Sequence, residues 1–214
     1  MAGDSARAPM EPIAAAVIAV MTWFGLGLQL WLLLPGPNGW LSTVLYFLGF
    51  FTILSNTLMA TVLTAPLLGL PGARWFAGSS VRTATAVYMA ILAAIYVIVL
   101  QELWDPTGAQ AIADDLLHKI DPILYVLYWF AFVDKRSLEW RSIPAWLIYP
   151  LSYFGVAMLR GLATGWYPYP FIDASALGLP RVLVNATGLT VVFAILSALV
   201  IGGSRALATK APSR

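Results

Sequence analysis

Six long apolar stretches constrain what this sequence can fold into. The hydrocarbon core of a bilayer is about 30 Å thick, and a helix needs roughly 20 apolar residues to cross it. Stretches of about this length follow one another along the chain, with short polar or proline-containing segments between them. The predicted membrane-spanning helices cover residues 13–34, 41–68, 84–100, 117–133, 143–159 and 182–201.

Composition supports this interpretation. Hydrophobic residues make up 60% of the 214 positions and charged residues only 10%, which is outside the usual range of water-soluble domains. No long linker, low-complexity tract or internal repeat divides the sequence. The predicted fold is therefore all-α: a polytopic membrane protein whose residues 1–214 form one transmembrane domain of about six helices.

Lysine and arginine distribute unevenly between the two sides that these helices define. Cytoplasmic loops of membrane proteins carry the excess of basic residues. Nine basic residues fall on the side of the two termini and three on the other. The three are Lys119, Arg160 and Arg181. The predicted topology therefore has both the N-terminus and the C-terminus in the cytoplasm.

Two residue counts exclude several kinds of chemistry. The chain has no cysteine, so disulfides, thiol catalysis and thiolate metal sites are excluded. Its one histidine, His118, is too few for a zinc site built from several imidazoles or for a haem held by two histidines. The net charge of +2 is small and dispersed, which argues against nucleic acid as a partner. We expect neither a metal nor a cofactor.

The second predicted helix carries an unusual polar face. Thr52, Ser55 and Asn56 follow the spacing i, i+3, i+4, which places all three on one side of a helix. A hydroxyl in a membrane helix often only bonds the backbone one turn back or joins two helices. Asparagine is costlier to bury in lipid, so this face is expected to point into the bundle and to line a polar cavity.

His118 lies near the outer end of the fourth predicted helix. A lone histidine at a membrane interface is often just an amphipathic end residue. Asp114 and Asp115, however, stand four and three residues before it, so a carboxylate can hold one ring nitrogen and leave the other as a base. Pro122 is predicted either to start this helix, with Asp121 as its cap, or to kink it.

A proline-rich aromatic segment follows the fifth predicted helix. Arg160 ends that helix, and the run Trp-Tyr-Pro-Tyr-Pro-Phe-Ile-Asp173 comes soon after it. An arginine in this position either extends to lipid head groups or binds a carboxylate or phosphate with its guanidinium group. The run contains too many prolines for a helix and too many aromatics for a solvated linker, so we expect it to fold over the mouth of the bundle.

Three of these motifs occur in the same order in one known family. They are Phe50-Phe-Thr-Ile-Leu-Ser-Asn56, Leu117-His118 with Pro122, and Gly165-Trp-Tyr-Pro-Tyr-Pro-Phe-Ile-Asp173. In these motifs the chain resembles the androgen-induced-gene and androgen-dependent TFPI-regulating protein family, in the short form common in bacterial genomes. The resemblance extends from the second helix to the sixth. Animal members of that family are multi-pass threonine hydrolases that cleave fatty acid esters of hydroxy fatty acids.

The resemblance implies a function and a set of site residues. By position, the nucleophilic threonine of the family falls on Thr52 and its histidine on His118. A hydroxyl becomes a useful nucleophile beside a base, so the two are predicted to act as a catalytic pair without a cofactor on a lipid ester in a bacterial plasma membrane. The residues predicted to bind this substrate are Ser55, Asn56, Arg160, Tyr169 and Asp173, with Asn56 also predicted to stabilise the oxyanion.

Two other classes of protein fit the same residues. Buried polar groups mark transport routes as well as active sites, so a small multi-pass transporter or a lipid-binding scaffold is the main alternative, and an assembly protein without a pocket is a further one. Geometry also tests the catalytic pair. A helix starting at residue 41 places Thr52 about 16 Å along it, whereas His118 is predicted to begin its own helix, so their contact is a prediction.

Overall fold

The computed structural model describes residues 2–34, 36 and 39–210, with side chains from residue 9 to residue 206 of those ranges. The described residues form helices and no strand. In chain order the α-helices are α1 (Ala2–Leu33), α2 (Gly39–Phe47), α3 (Phe51–Leu68), α4 (Ala73–Phe76), α5 (Ser79–Ile95), α6 (Ala109–Asp115), α7 (Asp121–Phe132), α8 (Ser142–Thr164), α9 (Ala174–Leu177) and α10 (Leu179–Lys210).

Two wider π-helical turns interrupt this pattern. The first, Tyr96–Leu100, continues α5, and the second, Leu116–Ile120, joins α6 to α7. Residues 109–132 therefore run as one helical rod with a π-helical turn in the middle. Such turns insert an extra residue into a helix and occur frequently at functional sites.

Within the part of the chain that the structure describes, five helical segments are long and apolar enough to cross a membrane. They are Pro9–Leu33, Phe51–Leu68, Ser79–Leu103, Ser142–Thr164 and Leu179–Ala206. Large apolar side chains on these helices, such as Val20, Ile98 and Leu159, are mostly exposed on the protein. A surface of this kind suits lipid rather than water. The chain is consistent with an integral, multi-pass helical membrane protein.

The helix predicted over 41–68 is two helices in the structure. Helix α2 ends at Phe47, and the N–H groups of Gly49 and Phe50 bond carbonyls only three residues back. Phe50 then takes an extended conformation, with φ −97° and ψ 134°, before α3 starts. Glycine has low helix propensity, which explains why the continuous apolar run breaks here. The second predicted segment was therefore wrong as a single helix.

The chain divides into two compact units, the first ending at Asp134 and the second starting at Lys135. In the first unit α1 packs along α3 and along the rod of α6 and α7, and α5 packs against α7 and α3. The approach of α1 to the second π-helical turn is close at Gly25, where an added Cβ would lie 3.2 Å from Cδ2 of Leu117. In the second unit α8 packs against α10.

Candidate active site

The break before α3 places Thr52 at the start of a helix. Thr52 is the second residue of α3 and only 6% exposed. The regular hydrogen bonds of this helix begin with the N–H of Leu54, which donates to the carbonyl of Phe50 at 3.2 Å. The first turn of a helix is electropositive because its peptide dipoles align, so negative charge is stabilised there. A hydroxyl at this point is well placed for chemistry that develops an anion.

The polar face of α3 is buried. Ser55 and Asn56 are both fully buried, and with Thr52 they face the interior of the first unit. The threonines further along the helix differ, because Thr57 and Thr61 donate their hydroxyls to the carbonyls of Ile53 and Thr57, each at 2.7 Å. These hydroxyls bond the backbone of their own helix, as is common in membrane helices.

Asn56 joins α3 to the second π-helical turn. Its Nδ2 lies 2.9 Å from the carbonyl oxygen of Thr52 and 2.9 Å from that of Leu117. Two carbonyl acceptors fix the orientation of the amide and use both of its hydrogens. The two carbonyl oxygens therefore lie close together, because each is 2.9 Å from the same nitrogen atom. This bridge brings the backbone at Thr52 next to the residue that precedes His118.

Proline explains why Leu117 needs this donor. In the π-helical turn, hydrogen bonds span five residues, and the N–H of Asp121 donates to the carbonyl of Leu116. The next donor in that register is residue 122, a proline, which has no N–H. The carbonyl of Leu117 thus lacks a π-helical donor, and the Asn56 amide supplies one. Pro122 is the second residue of α7, so it lies at the start of that helix. Asp121 does not cap α7, because the helical backbone continues into it from the π-helical turn.

His118 lies in the middle of the second π-helical turn with its side chain 19% exposed. Its Nδ1 is 3.1 Å from the carbonyl oxygen of Asp114 and 3.1 Å from carboxylate Oδ1 of the same residue. Both neighbours are hydrogen-bond acceptors, so Nδ1 carries the proton in the neutral ring. Nε2 is then the basic nitrogen, which is the one that a general base needs.

The two acidic residues before His118 have separate partners. Asp114 is 2% exposed and faces the imidazole. Asp115 instead pairs with Lys119 at 2.7 Å between Oδ1 and Nζ, and its side chain is half exposed. The sequence left both carboxylates open as partners of His118, and the structure selects Asp114.

Tyr96 completes a group of three side chains that we call the His118 cluster: Tyr96, Asp114 and His118. The Tyr96 hydroxyl donates to Oδ2 of Asp114. Its ring stacks on the imidazole with centroids 4.3 Å apart and planes 19° apart. Sequence reasoning missed Tyr96, because it is distant in sequence from His118 and its only signal is a lone hydroxyl within the apolar run Ile95–Leu100.

Residues predicted to bind substrate also occur in the second unit. The guanidinium of Arg160 lies 4.1 Å from the centre of the Trp166 ring, a cation–π contact. Tyr169 stacks on Phe171 with centroids 5.3 Å apart. Both contacts belong to the proline-rich aromatic segment, which packs on α8 and α10.

Asp173 has a structural role in this segment. Its carboxylate caps α9 by accepting hydrogen bonds from the backbone N–H groups of Ser175 and Ala176, and also from the Ser175 hydroxyl. The Ser175 hydroxyl, followed by these amides, lowers the pKa of the Asp173 carboxyl. An aspartate that caps a helix in this way is common, and it does not require a ligand.

The segment itself is anchored at two points. Asn185 of α10 donates its amide to the carbonyl of Phe171 at 2.8 Å. The Tyr167 ring packs directly on Gly161, where an added Cβ would lie 2.0 Å from Cε1 of the tyrosine. The segment packs on α8 and α10 within the second unit, and Gly161 is the residue that makes room for it. Its placement over the mouth of the bundle stays a prediction.

Comparison with family models, with curated proteins and with solved structures gives no match for this chain. Among the described residues, no group of three or more His, Asp or Glu side chains could hold a metal ion.

Proposed function

We propose that this protein is a membrane-embedded hydrolase of lipid esters, with Thr52 as nucleophile and His118 as general base. The observation that carries the proposal is the Asn56 bridge, which joins the backbone at Thr52 to Leu117, the neighbour of His118. A buried hydroxyl at a helix start and a histidine oriented by a carboxylate are the two parts that acyl transfer requires. The family resemblance of the same two residues points to the same reaction.

The proposed reaction has two steps. Thr52 Oγ forms a bond to the ester carbonyl carbon while its proton passes to Nε2 of His118, and the alcohol part of the lipid leaves with that proton. A water molecule then gives a proton to Nε2 while its oxygen bonds to the acyl carbon. As the bond from that carbon to Thr52 Oγ breaks, the proton passes from Nε2 to Oγ, which releases the fatty acid and restores both Thr52 and His118. One water is consumed for each ester cleaved.

The electropositive start of α3 supports the oxyanion of each step. Asn56 is less suited to that role than its sequence suggested, because backbone carbonyls use both of its amide hydrogens. Ser55 remains a proposed substrate contact. Arg160 is the proposed partner of a carboxylate or phosphate group of the lipid. Tyr169 is the proposed contact of the acyl chain of the lipid. Fatty acid esters of hydroxy fatty acids are the proposed substrates, on the resemblance alone.

The proposal includes a topology of six spans in a plasma membrane, bacterial by the resemblance, with both termini cytoplasmic. The span that adds to the five apolar helices is the rod of residues 109–132, which is the fourth in chain order. At 1.5 Å per residue it is about 36 Å long. The absence of cysteine from the sequence makes this simple to test. An impermeant thiol reagent applied to intact cells is expected to label Thr107→Cys and to spare Ser137→Cys, and the reverse pattern would invert the topology.

A lipophilic fluorophosphonate tests the reaction directly. Wild-type protein in detergent is expected to form a covalent adduct at Thr52 and to cleave a fatty acid ester of a hydroxy fatty acid. Thr52→Ala is expected to do neither, whereas Thr57→Ala removes a hydroxyl five residues further along α3 and should behave as wild type. An inert wild type, or a Thr52→Ala variant as active as wild type, rules out the proposed nucleophile.

One observation favours transport as a second candidate function. Asp121 is fully buried, and neither carboxylate oxygen has a hydrogen-bond partner among the described residues, although the Thr22 hydroxyl of α1 is near. Buried carboxyl groups in membrane helices often line ion or proton routes. A wild-type protein that is inert to the fluorophosphonate but moves solutes into liposomes, with loss of transport in Asp121→Asn, would establish this alternative.

A further inference from the structure

We propose that Tyr96 is a positioning residue that acts together with Asp114 to hold His118 in the form with Nδ1 protonated and Nε2 basic. A role for Tyr96 in catalysis rests on the proposed function, whereas its effect on the orientation of His118 does not. Tyr96 contacts both members of the pair, since its hydroxyl meets Asp114 and its ring meets the imidazole.

The Tyr96 hydroxyl fixes the orientation of the Asp114 carboxylate. Asp114 is almost completely buried, so its oxygens depend on protein donors. Oδ2 accepts from the Tyr96 hydroxyl, whereas Oδ1 lies 3.1 Å from Nδ1 of His118 and has no hydrogen-bond partner among the described residues. The hydrogen bond of Nδ1 goes to the backbone carbonyl of Asp114. Without the tyrosine hydroxyl, Asp114 loses the donor that fixes the rotation of its carboxylate group. The 3.1 Å approach of Oδ1 to Nδ1 therefore depends on Tyr96.

The Tyr96 ring also contacts the imidazole ring of His118. The near-parallel stack of Tyr96 on His118 limits rotation of the imidazole out of its plane. Lys119, whose Nζ lies 5.5 Å from the centre of the Tyr96 ring, adds a third contact from the same π-helical turn. The Tyr96 hydroxyl thus fixes the carboxylate that faces Nδ1 of His118, and the Tyr96 ring limits the tilt of the imidazole.

The backbone shows that the arrangement is specific. Tyr96 is the first residue of one π-helical turn and His118 lies within the other. If the extra residue of a π-helical turn were absent, the helix would be regular, and every residue after that point would be rotated by about 100° around the helix axis. The two interruptions of the helical pattern therefore coincide with the two rings that stack, which fits the frequent occurrence of π-helical turns at functional sites.

The single histidine makes the test unambiguous. Protein labelled with ¹⁵N-histidine has one pair of ring-nitrogen signals, and at alkaline pH their chemical shifts show which nitrogen carries the proton. Wild type is expected to have the proton on Nδ1. Tyr96→Phe keeps the stack and removes the hydroxyl, so the fraction with the proton on Nε2 should rise severalfold. Tyr96→Leu removes both contacts and should raise that fraction further.

Tyr128→Phe is the matched control, because it removes a hydroxyl that donates to Glu11 away from the His118 cluster. Its histidine signals should equal those of wild type. Tyr96→Phe changes a single oxygen and should fold, which a thermal melt beside the control verifies. The proposal is overturned if wild type carries the proton on Nε2, or if either Tyr96 variant keeps the wild-type ratio.

This measurement separates the two proposals. A wild type without hydrolase activity, but with the Nδ1 proton shifted by Tyr96→Phe, would refute the enzyme and support the positioning role. An active wild type whose histidine signals do not respond to Tyr96→Phe would support the enzyme and refute the positioning role.

Discussion

The first unit contains two polar clusters that differ in their surroundings. One is the His118 cluster, and the other, which we call the Arg82 clamp, consists of Glu11, Arg82 and Tyr128. The Arg82 guanidinium pairs with Glu11 at 2.7 Å, the Tyr128 hydroxyl donates to the same oxygen at 3.2 Å, and the guanidinium lies over the Tyr128 ring. One side chain from each of α1, α5 and α7 meets there.

The backbone around the two clusters differs. The clamp joins three regular helices, whereas the His118 cluster lies where two helices widen into π-helical turns. Along α1 the two are well separated, because Glu11 and Gly25, which packs on Leu117, are about 21 Å apart at 1.5 Å per residue. Proteins depart from regular local structure mainly at functional sites. We therefore expect the clamp to contribute to stability and the His118 cluster to contribute to the proposed reaction.

Removing the base should give the largest effect. His118→Gln keeps a polar side chain of similar length, and ester turnover should fall by about 10²–10⁴-fold, because general bases contribute that much. The melting temperature should change little, since the ring is partly exposed. Turnover is followed by release of hydroxy fatty acid, with Tyr128→Phe as the control. Turnover within a few-fold of wild type would show that the cluster is not catalytic.

Breaking the clamp should give the opposite pattern. Arg82→Met keeps the apolar stem and removes the ion pair with Glu11, which should lower the free energy of unfolding by about 2 kcal/mol, the scale of a hydrogen bond to a charged group. Turnover per folded molecule should stay near that of wild type. The exposed Arg74→Met is the matched control for unfolding in mixed detergent. A selective loss of turnover in Arg82→Met would remove the distinction between the clusters.

The sequence indicated the members of the proposed catalytic pair, but not the contacts around them. Asp114 and His118 were predictable as partners, because four residues span one helical turn. The start of α3 was missed, since Gly49 is a weak signal inside a long apolar run. Tyr96 could not be found, because its contact with His118 depends on the packing of two helices and on two π-helical turns that no residue pattern announces.

A double-mutant cycle can sharpen the role assigned to Asn56. Asn56→Ala leaves the carbonyl of Leu117 without its donor, which should lower the free energy of unfolding by about 1–3 kcal/mol. Pro122→Ala restores a backbone N–H in π-helical register, so the cost of Asn56→Ala should shrink by about 1 kcal/mol in that background. The four proteins are compared by unfolding in mixed detergent. Strictly additive effects would contradict the proposed link between Pro122 and Asn56.

The smallest effect on stability and turnover is expected from a substitution at Asp115. This residue follows Asp114 directly in the sequence but is half exposed, whereas Asp114 is buried. The pair that Asp115 makes with Lys119 is exposed on both sides, with side chains 50% and 36% accessible. Water screens such a pair, so Asp115→Asn should change the free energy of unfolding by less than about 0.5 kcal/mol. It should also leave turnover and the histidine signals unchanged.

Asp114→Asn is the counterpart of that variant. It places an amide beside Nδ1 and the Tyr96 hydroxyl, where the structure has a buried carboxylate that accepts from the tyrosine and has Oδ1 3.1 Å from Nδ1. It should lower turnover and shift the histidine signals, because an amide group can also donate a hydrogen bond to Nδ1 and so favour the proton on Nε2. Equal responses at the two positions would mean that general negative charge, rather than the directed contacts of the His118 cluster, orients the imidazole.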